Sequence, residues 1–171
     1  AGDFINRGII AYRRHNYRGA LADYSQAVKI APNDADCYYN RGIMRQEVGD
    51  YNNALEDLNK AISLAPHKTE MRYQRGLIEM QLRKWDNVVS DMDSLIAKYP
   101  YFLPSYYMAA QAKAQKEKKV EAFTYRQKAQ ELEARKDEIQ AQKAMTPNTD
   151  LLIADAQPQK KDPRKEFSSS T

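Results

Sequence analysis

The chain has 171 residues, 42% of them hydrophobic and 29% charged, which suits one soluble domain with an appendage. No apolar run approaches the ~18 residues that a membrane-crossing helix needs, and one cysteine, Cys37, excludes an internal disulfide. The net charge of +4 invites a nucleic-acid reading, but much of the excess sits on Lys113, Lys116, Lys118 and Lys119 and on Lys160, Lys161, Arg164 and Lys165, a late helix and an end segment. The first residues show no secretory leader, and the chain opens without Met on the first position of a repeat. It therefore reads as a trimmed piece of a longer protein. A soluble chain is expected, cytoplasmic or, with a signal peptide removed upstream, exported.

Along the chain the dominant pattern is a period of 34 residues. Pro32, Pro66 and Pro100 share it, as do Gly8, Gly42 and Gly76 with Ala110 one period on. So do Ala20, Ala54, Val88 and Ala122, and Ala27, Ala61, Leu95 and Ala129. A fixed period of this length marks one supersecondary unit that must stack to bury its apolar face. The period gives units 1–34, 35–68, 69–102 and 103–145, an array followed by a flexible 146–171 tail. Few glycines and no clear strand alternation predict an all-α fold: antiparallel helix–turn–helix units stacked into a right-handed solenoid.

Unit one carries Gly8, Ala20 and Ala27 on its two helices and ends at Pro32. No polar helix stands in front of its first helix, so either further repeats precede it or this face pairs with another copy. In unit two, helix A is expected over about Asp36–Val48 and helix B over about Asn52–Ala65. Gly49 supplies a left-handed C-cap, Asp50 is placed to cap helix B, and Pro66 stops it. Gly42 and Ala54 are small where the helices cross, and Tyr51, Leu58 and Ile62 are the larger packing groups. Tyr17, Tyr51 and Trp85 share the start of helix B and read as core wedges between helices. Unit four reads as the end of the array, because Arg126 and Gln130 give helix B a solvated face. Without a proline at Ala134, that helix is expected to run through Glu138 and Ile139 to about Ala144. Beyond it lie three of the seven prolines, a "QKKDPRKE" run and a terminal "SSST", a composition that favours disorder. Leu151-Leu152-Ile153 is the apolar exception, read as a transient helical turn.

Two positions change together. Position 7 is Arg7, Arg41 and Arg75, position 23 is Asp23, Asp57 and Asp91, and in unit four they become Ala109 and Tyr125. This predicts an Arg–Asp ion pair between helices A and B of one unit. An arginine stripe facing an acidic ligand is the weaker reading, because an unpaired buried guanidinium is costly.

These residues resemble the tetratricopeptide repeat, a 34-residue unit with an aromatic at position 4, small residues at 8, 20 and 27, an aromatic at 17 and proline at 32. Position 4 here is Phe4, Tyr38, Arg72 and Tyr106, and "CYYNRGIMRQEVGDYNNALEDLNKAISLAP" in unit two follows the pattern almost throughout. Departures are His15 and Arg83 at the turn, Arg72, and Lys119, Arg126 and Ala134 in unit four. The resemblance covers about residues 1–134. It implies a non-catalytic scaffold, with no cofactor or metal, that holds a peptide or extended protein segment on the concave face formed by the A helices.

The concave positions that this resemblance implies are Ile5, Ile9 and Tyr12 in unit one and Tyr39, Asn40 and Ile43 in unit two. Tyr73, Gln74, Leu77 and Met80 follow in unit three, and Tyr107 and Met108 in unit four, with Glu47, Gln81 and Gln111 also on the list. Tyr39, Tyr73 and Tyr107 form a ladder, which suits either recognition or packing on neighbours. The clamp that some co-chaperone arrays use for a C-terminal carboxylate would need basic and Asn residues where this chain has Ile5, Ile9, Asn40, Glu70 and Gln74. Only Asn40 fits, so that ligand is not expected. The rival class is a basic C-terminal helix and tail that bind RNA or an anionic surface. Enzyme chemistry has no motif to rest on: the two histidines, His15 and His67, fall in turns, and no metal spacing, nucleophile elbow or phosphate loop is present.

Overall fold

The computed structural model describes residues 1–136, 138 and 140. Its helices are α1 (Gly2–Arg13), α2 (Tyr17–Ile30), α3 (Ala35–Glu47), α4 (Tyr51–Leu64), α5 (Met71–Gln81), α6 (Trp85–Lys98), α7 (Leu103–Gln115) and α8 (Lys119–Ala134), and no strand occurs among the described residues. Each unit is one antiparallel pair, and each second helix packs on the first helix of the next unit. The result is an all-α helical repeat solenoid. Among the described residues, no helix is long and apolar enough to cross a membrane.

Close crossings explain the small residues. A Cβ on Gly8 would lie 2.5 Å from the Tyr24 ring, one on Gly42 2.9 Å from Leu58, and one on Gly76 2.7 Å from Met92. Ala20, Ala54 and Val88 are fully buried across from them. The stops are equally regular: α2, α4 and α6 end two residues before Pro32, Pro66 and Pro100.

The turn inside every unit has one geometry. His15, Gly49, Arg83 and Glu117 have φ of 60°, 81°, 56° and 58°. The next residue's N–H then reaches back five residues: Asn16 to the Ala11 carbonyl at 2.9 Å, Asp50 to Arg45 at 2.8 Å, Lys84 to Glu79 at 2.8 Å and Lys118 to Lys113 at 3.0 Å. This Schellman closure satisfies helix-end carbonyls. Only Gly49 enters the left-handed region without a Cβ penalty.

Two local expectations are corrected. Asp50 stands at the N-cap of α4 but makes no side-chain cap bond; its carboxylate accepts from Asn53 Nδ2 at 2.9 and 3.0 Å instead. The side-chain caps are Asn16, which accepts from the Gly19 N–H at 3.0 Å, and Asp34, which accepts from the Asp36 N–H at 2.9 Å. Helix α8 ends at Ala134, and Arg135 forms a turn, so the helix expected to continue through Glu138 is interrupted there. Ile139, residues 141–145 and the 146–171 tail with Leu151-Leu152-Ile153 lie outside the described residues.

Candidate functional site

The arginines of position 7 turn inward. Arg41 Nε and Nη2 donate to Asp57 at 2.9 and 2.7 Å, and Arg75 Nε and Nη2 donate to Asp91 at 2.7 and 2.6 Å. Arg7 meets Asp23 through a single 3.2 Å contact. Each buried carboxylate also takes a second guanidinium: Arg45 Nη1 on Asp57 at 2.7 Å and Arg72 Nη1 on Asp91 at 3.1 Å. Hydrogen bonding to these aspartates raises Arg41 and Arg75 further above the ordinary arginine value. In unit four Ala109 is fully buried and the Tyr125 hydroxyl donates to Asp93 at 2.6 Å.

A further carboxylate shares this layer. Glu79 is 3% exposed, and its Oε2 is buried without a hydrogen-bond partner. Burial, and then the charge of Asp91, push its carboxyl up to about 7, although Arg75 and a hydrogen bond from Asn87 oppose the rise.

With the ion pairs spent on the structure, the A helices present a groove of about 610 Å³ across units two to four. Tyr73, Leu77, Met80, Tyr107 and Met108 border it, with Gln46, Glu47, Gln81 and Gln111. Tyr73 is half-buried, its ring edge-on to Phe102 at 5.2 Å. Tyr107 is 42% exposed, and its hydroxyl donates to Glu133 at 2.9 Å.

The other expected residues sit elsewhere. Ile5 and Ile9 are half-buried against a cluster of Tyr12, Ala20, Tyr24 and Met44. Tyr39 and Ile43 are half-buried, and Asn40 Nδ2 donates to the Asp36 carbonyl at 2.7 Å. Tyr12, Gln74 and Met108 are buried rather than exposed to a ligand. Met108 is buried because its sulfur fills the space beside Gly76, 3.2 Å from where a Cβ would stand. Tyr12 is buried because its ring lies 5.8 Å from that of Tyr17 and its hydroxyl bonds Glu47.

The sequence reading missed Gln46, Tyr51 and Pro104 as lining residues. Gln46 and Pro104 stand at positions 12 and 2 of the period, so the concave register could have found them. Tyr51 carried no such signal; it and Trp85 are half-buried, not the full core wedges expected. The late basic helix is largely neutralised. Lys113 and Lys118 pair with Glu121, and Lys116 Nζ lies 2.6 Å from Asp86. Those lysines hold Asp86 and Glu121 below the usual carboxylate range.

The profile of the Tetratricopeptide repeat family matches residues 7–72. No curated protein matches the chain. Among solved structures, a crystal structure of MamA is similar with a TM-score of 0.73 at 22% identity, covering 79% of each chain. MamA from Desulfovibrio magneticus RS-1 gives 0.71 at 22% identity, over 75% of this chain and 73% of that one. YrrB, described as a TPR protein with an unusual peptide-binding site, gives 0.70 at 22% identity, over 75% and 66%. At these identities the likeness speaks for the fold. With four units on the 34-residue period and the family profile matching across units one and two, the chain belongs to the tetratricopeptide repeat proteins, a family of protein–protein interaction scaffolds.

Proposed function

We propose that the groove across units two to four binds an extended peptide or protein segment and that the array acts as a non-catalytic scaffold. The observation that carries this reading is the joint opening of Tyr73, Leu77, Met80 and Tyr107 onto one groove rimmed by three glutamine amides, Gln46, Gln81 and Gln111. The apolar floor suits an anchoring side chain, and amides can both donate to and accept from a peptide backbone. Glu47 is the one charged lining residue, which favours a neutral or basic ligand flank. YrrB's described peptide-binding site favours the same class of ligand.

The test is to select peptides from a random display library on the full chain and titrate them against variants. Leu77→Ala and Tyr107→Ala each weaken binding by about tenfold or more, as hot-spot truncations do. Affinity unchanged by both substitutions refutes the groove. A steep fall in affinity between low and moderate salt would point instead to phosphate-like ligands on the basic end.

A further inference from the structure

Helix α1 turns outward a face that the other three A helices bury. Position 10 of the period is Ile10, 50% exposed, whereas Met44, Ile78 and Ala112 are at most 1% exposed. The Arg7 side chain is 65% exposed, against 17% for Arg41 and 18% for Arg75. Asp3 is exposed where its counterparts Cys37, Met71 and Ser105 are buried.

The three internal junctions show what chemistry covers such a face. Over α3, Leu21 and Tyr24 meet Met44, and Val28 meets Cys37. Over α5, Leu55 and Leu58 meet Ile78, and Ile62 meets Met71. Over α7, Val89 and Met92 meet Ala109 and Ala112, and Ile96 meets Tyr106. The spacing in every case is i, i+3 and i+7, one face of a helix. At i+4 stands a short polar residue, Ser25, Asn59 or Asp93. Asn59 accepts from Arg75 Nη1 at 2.9 Å, and Asp93 accepts from Tyr125, the residue that stands in unit four for the ion pair's aspartate. The chain's own last helix breaks this code. Helix α8 has Phe123, Arg126, Gln127 and Gln130 at those places, so head-to-tail stacking of copies would set Arg126 against Ile10.

We propose that the outer face of α1 docks, in trans, an amphipathic helix of a partner protein. The partner helix carries aliphatic or aromatic side chains at i, i+3 and i+7 and Asn, Ser or Asp at i+4, placed for the Arg7 guanidinium. The junctions at α3, α5 and α7 are three examples of that contact already inside the fold. The surface is separate from the groove, since none of Asp3, Arg7 and Ile10 borders it.

The probe is a synthetic peptide of α4, Tyr51–Leu64, stapled between the exposed Glu56 and Lys60, because so short a helix is marginal alone. Titrated into the full chain, it binds saturably at one site. Ile10→Asp and the milder Ile10→Gln, each checked for retained helicity, weaken it by about tenfold or more, and Tyr107→Ala leaves it unchanged. A matching peptide of α8 does not bind. The proposal is overturned if the α4 peptide fails to bind, if both Ile10 substitutions leave its affinity unchanged, or if the α8 peptide binds equally. It is also overturned if ultracentrifugation shows the chain self-associating through Ile10, since the occupant is then a second copy.

Discussion

Units two and three close their helix pairs around a buried carboxylate held by two guanidiniums, whereas unit four closes the same pair with neither ion. Asp57 and Asp91 are 3% and 2% exposed; in their place Tyr125 reaches sideways to Asp93, and Ala109 fills the arginine's site. The hairpin therefore does not require the charges. What distinguishes units two and three is a following unit stacked against them, and Arg75 uses its remaining nitrogen to bond Asn59 across one such junction. The ion pairs fit best as devices that set helix register where neighbours must stack. A buried pair is weak evidence for net stability, but breaking it is strongly destabilising.

That contrast is most sharply broken by removing the acid. Asp91→Ala leaves Arg75 and Arg72 facing a vacated site and destabilises the array by about 3–5 kcal/mol in urea denaturation. Asp57→Ala, which strands Arg41 and Arg45, costs a similar amount. Asp23→Ala costs under about 1 kcal/mol, because its partner Arg7 is mostly solvated. Equal losses at all three sites would show that the position acts through helix geometry rather than charge.

Glu79 tests the same layer from the opposite side. The folded chain holds the Glu79 proton more tightly than the unfolded chain does. Its penalty is therefore absent below the ordinary value of 4.5 and fully present above about 7. Stability falls as pH rises through that window. Glu79→Gln should raise stability at pH 8 by up to about 3 kcal/mol and leave it nearly unchanged at pH 4.5. A gain that is flat with pH would mean that packing, not charge, is responsible.

The period made the Gly8, Gly42 and Gly76 crossings, the proline stops and the three ion pairs legible, because each recurs at one register and internal copies serve as their own control. The second guanidiniums were not legible. Arg45 stands at position 11 and Arg72 at position 4, so two different positions solve the same problem and no column shows it. Glu79 was hidden for a related reason: its counterpart in unit two is Arg45, and burial follows the local partner rather than the repeat. Part of the groove was legible, Tyr73, Leu77, Met80 and Tyr107. Tyr12, Gln74 and Met108 were misplaced because exposure on the concave side depends on how closely successive A helices approach, which the period does not encode.

The smallest effect sharpens the comparison by asking what units three and four share. Both make the turn between their helices with a side chain in the left-handed region, Arg83 at φ 56° and Glu117 at φ 58°. Replacing either with glycine relieves a Cβ clash of about 1–2 kcal/mol but adds back about 0.5–1 kcal/mol of unfolded-chain freedom. Arg83→Gly and Glu117→Gly should therefore each stabilise by about 0.5–1 kcal/mol, and by the same amount, since the Schellman bonds are common to both units. His15→Gly should gain less, because it also loses the 3.1 Å hydrogen bond between His15 Nδ1 and the Tyr17 hydroxyl. Gly49→Ala should lose about 1 kcal/mol by the reverse argument. Thermal unfolding of the four variants side by side decides it. If the gain appeared in unit three but not in unit four, the turn would be coupled to the ion-pair layer, and the two regions would differ in more than the chemistry between their helices.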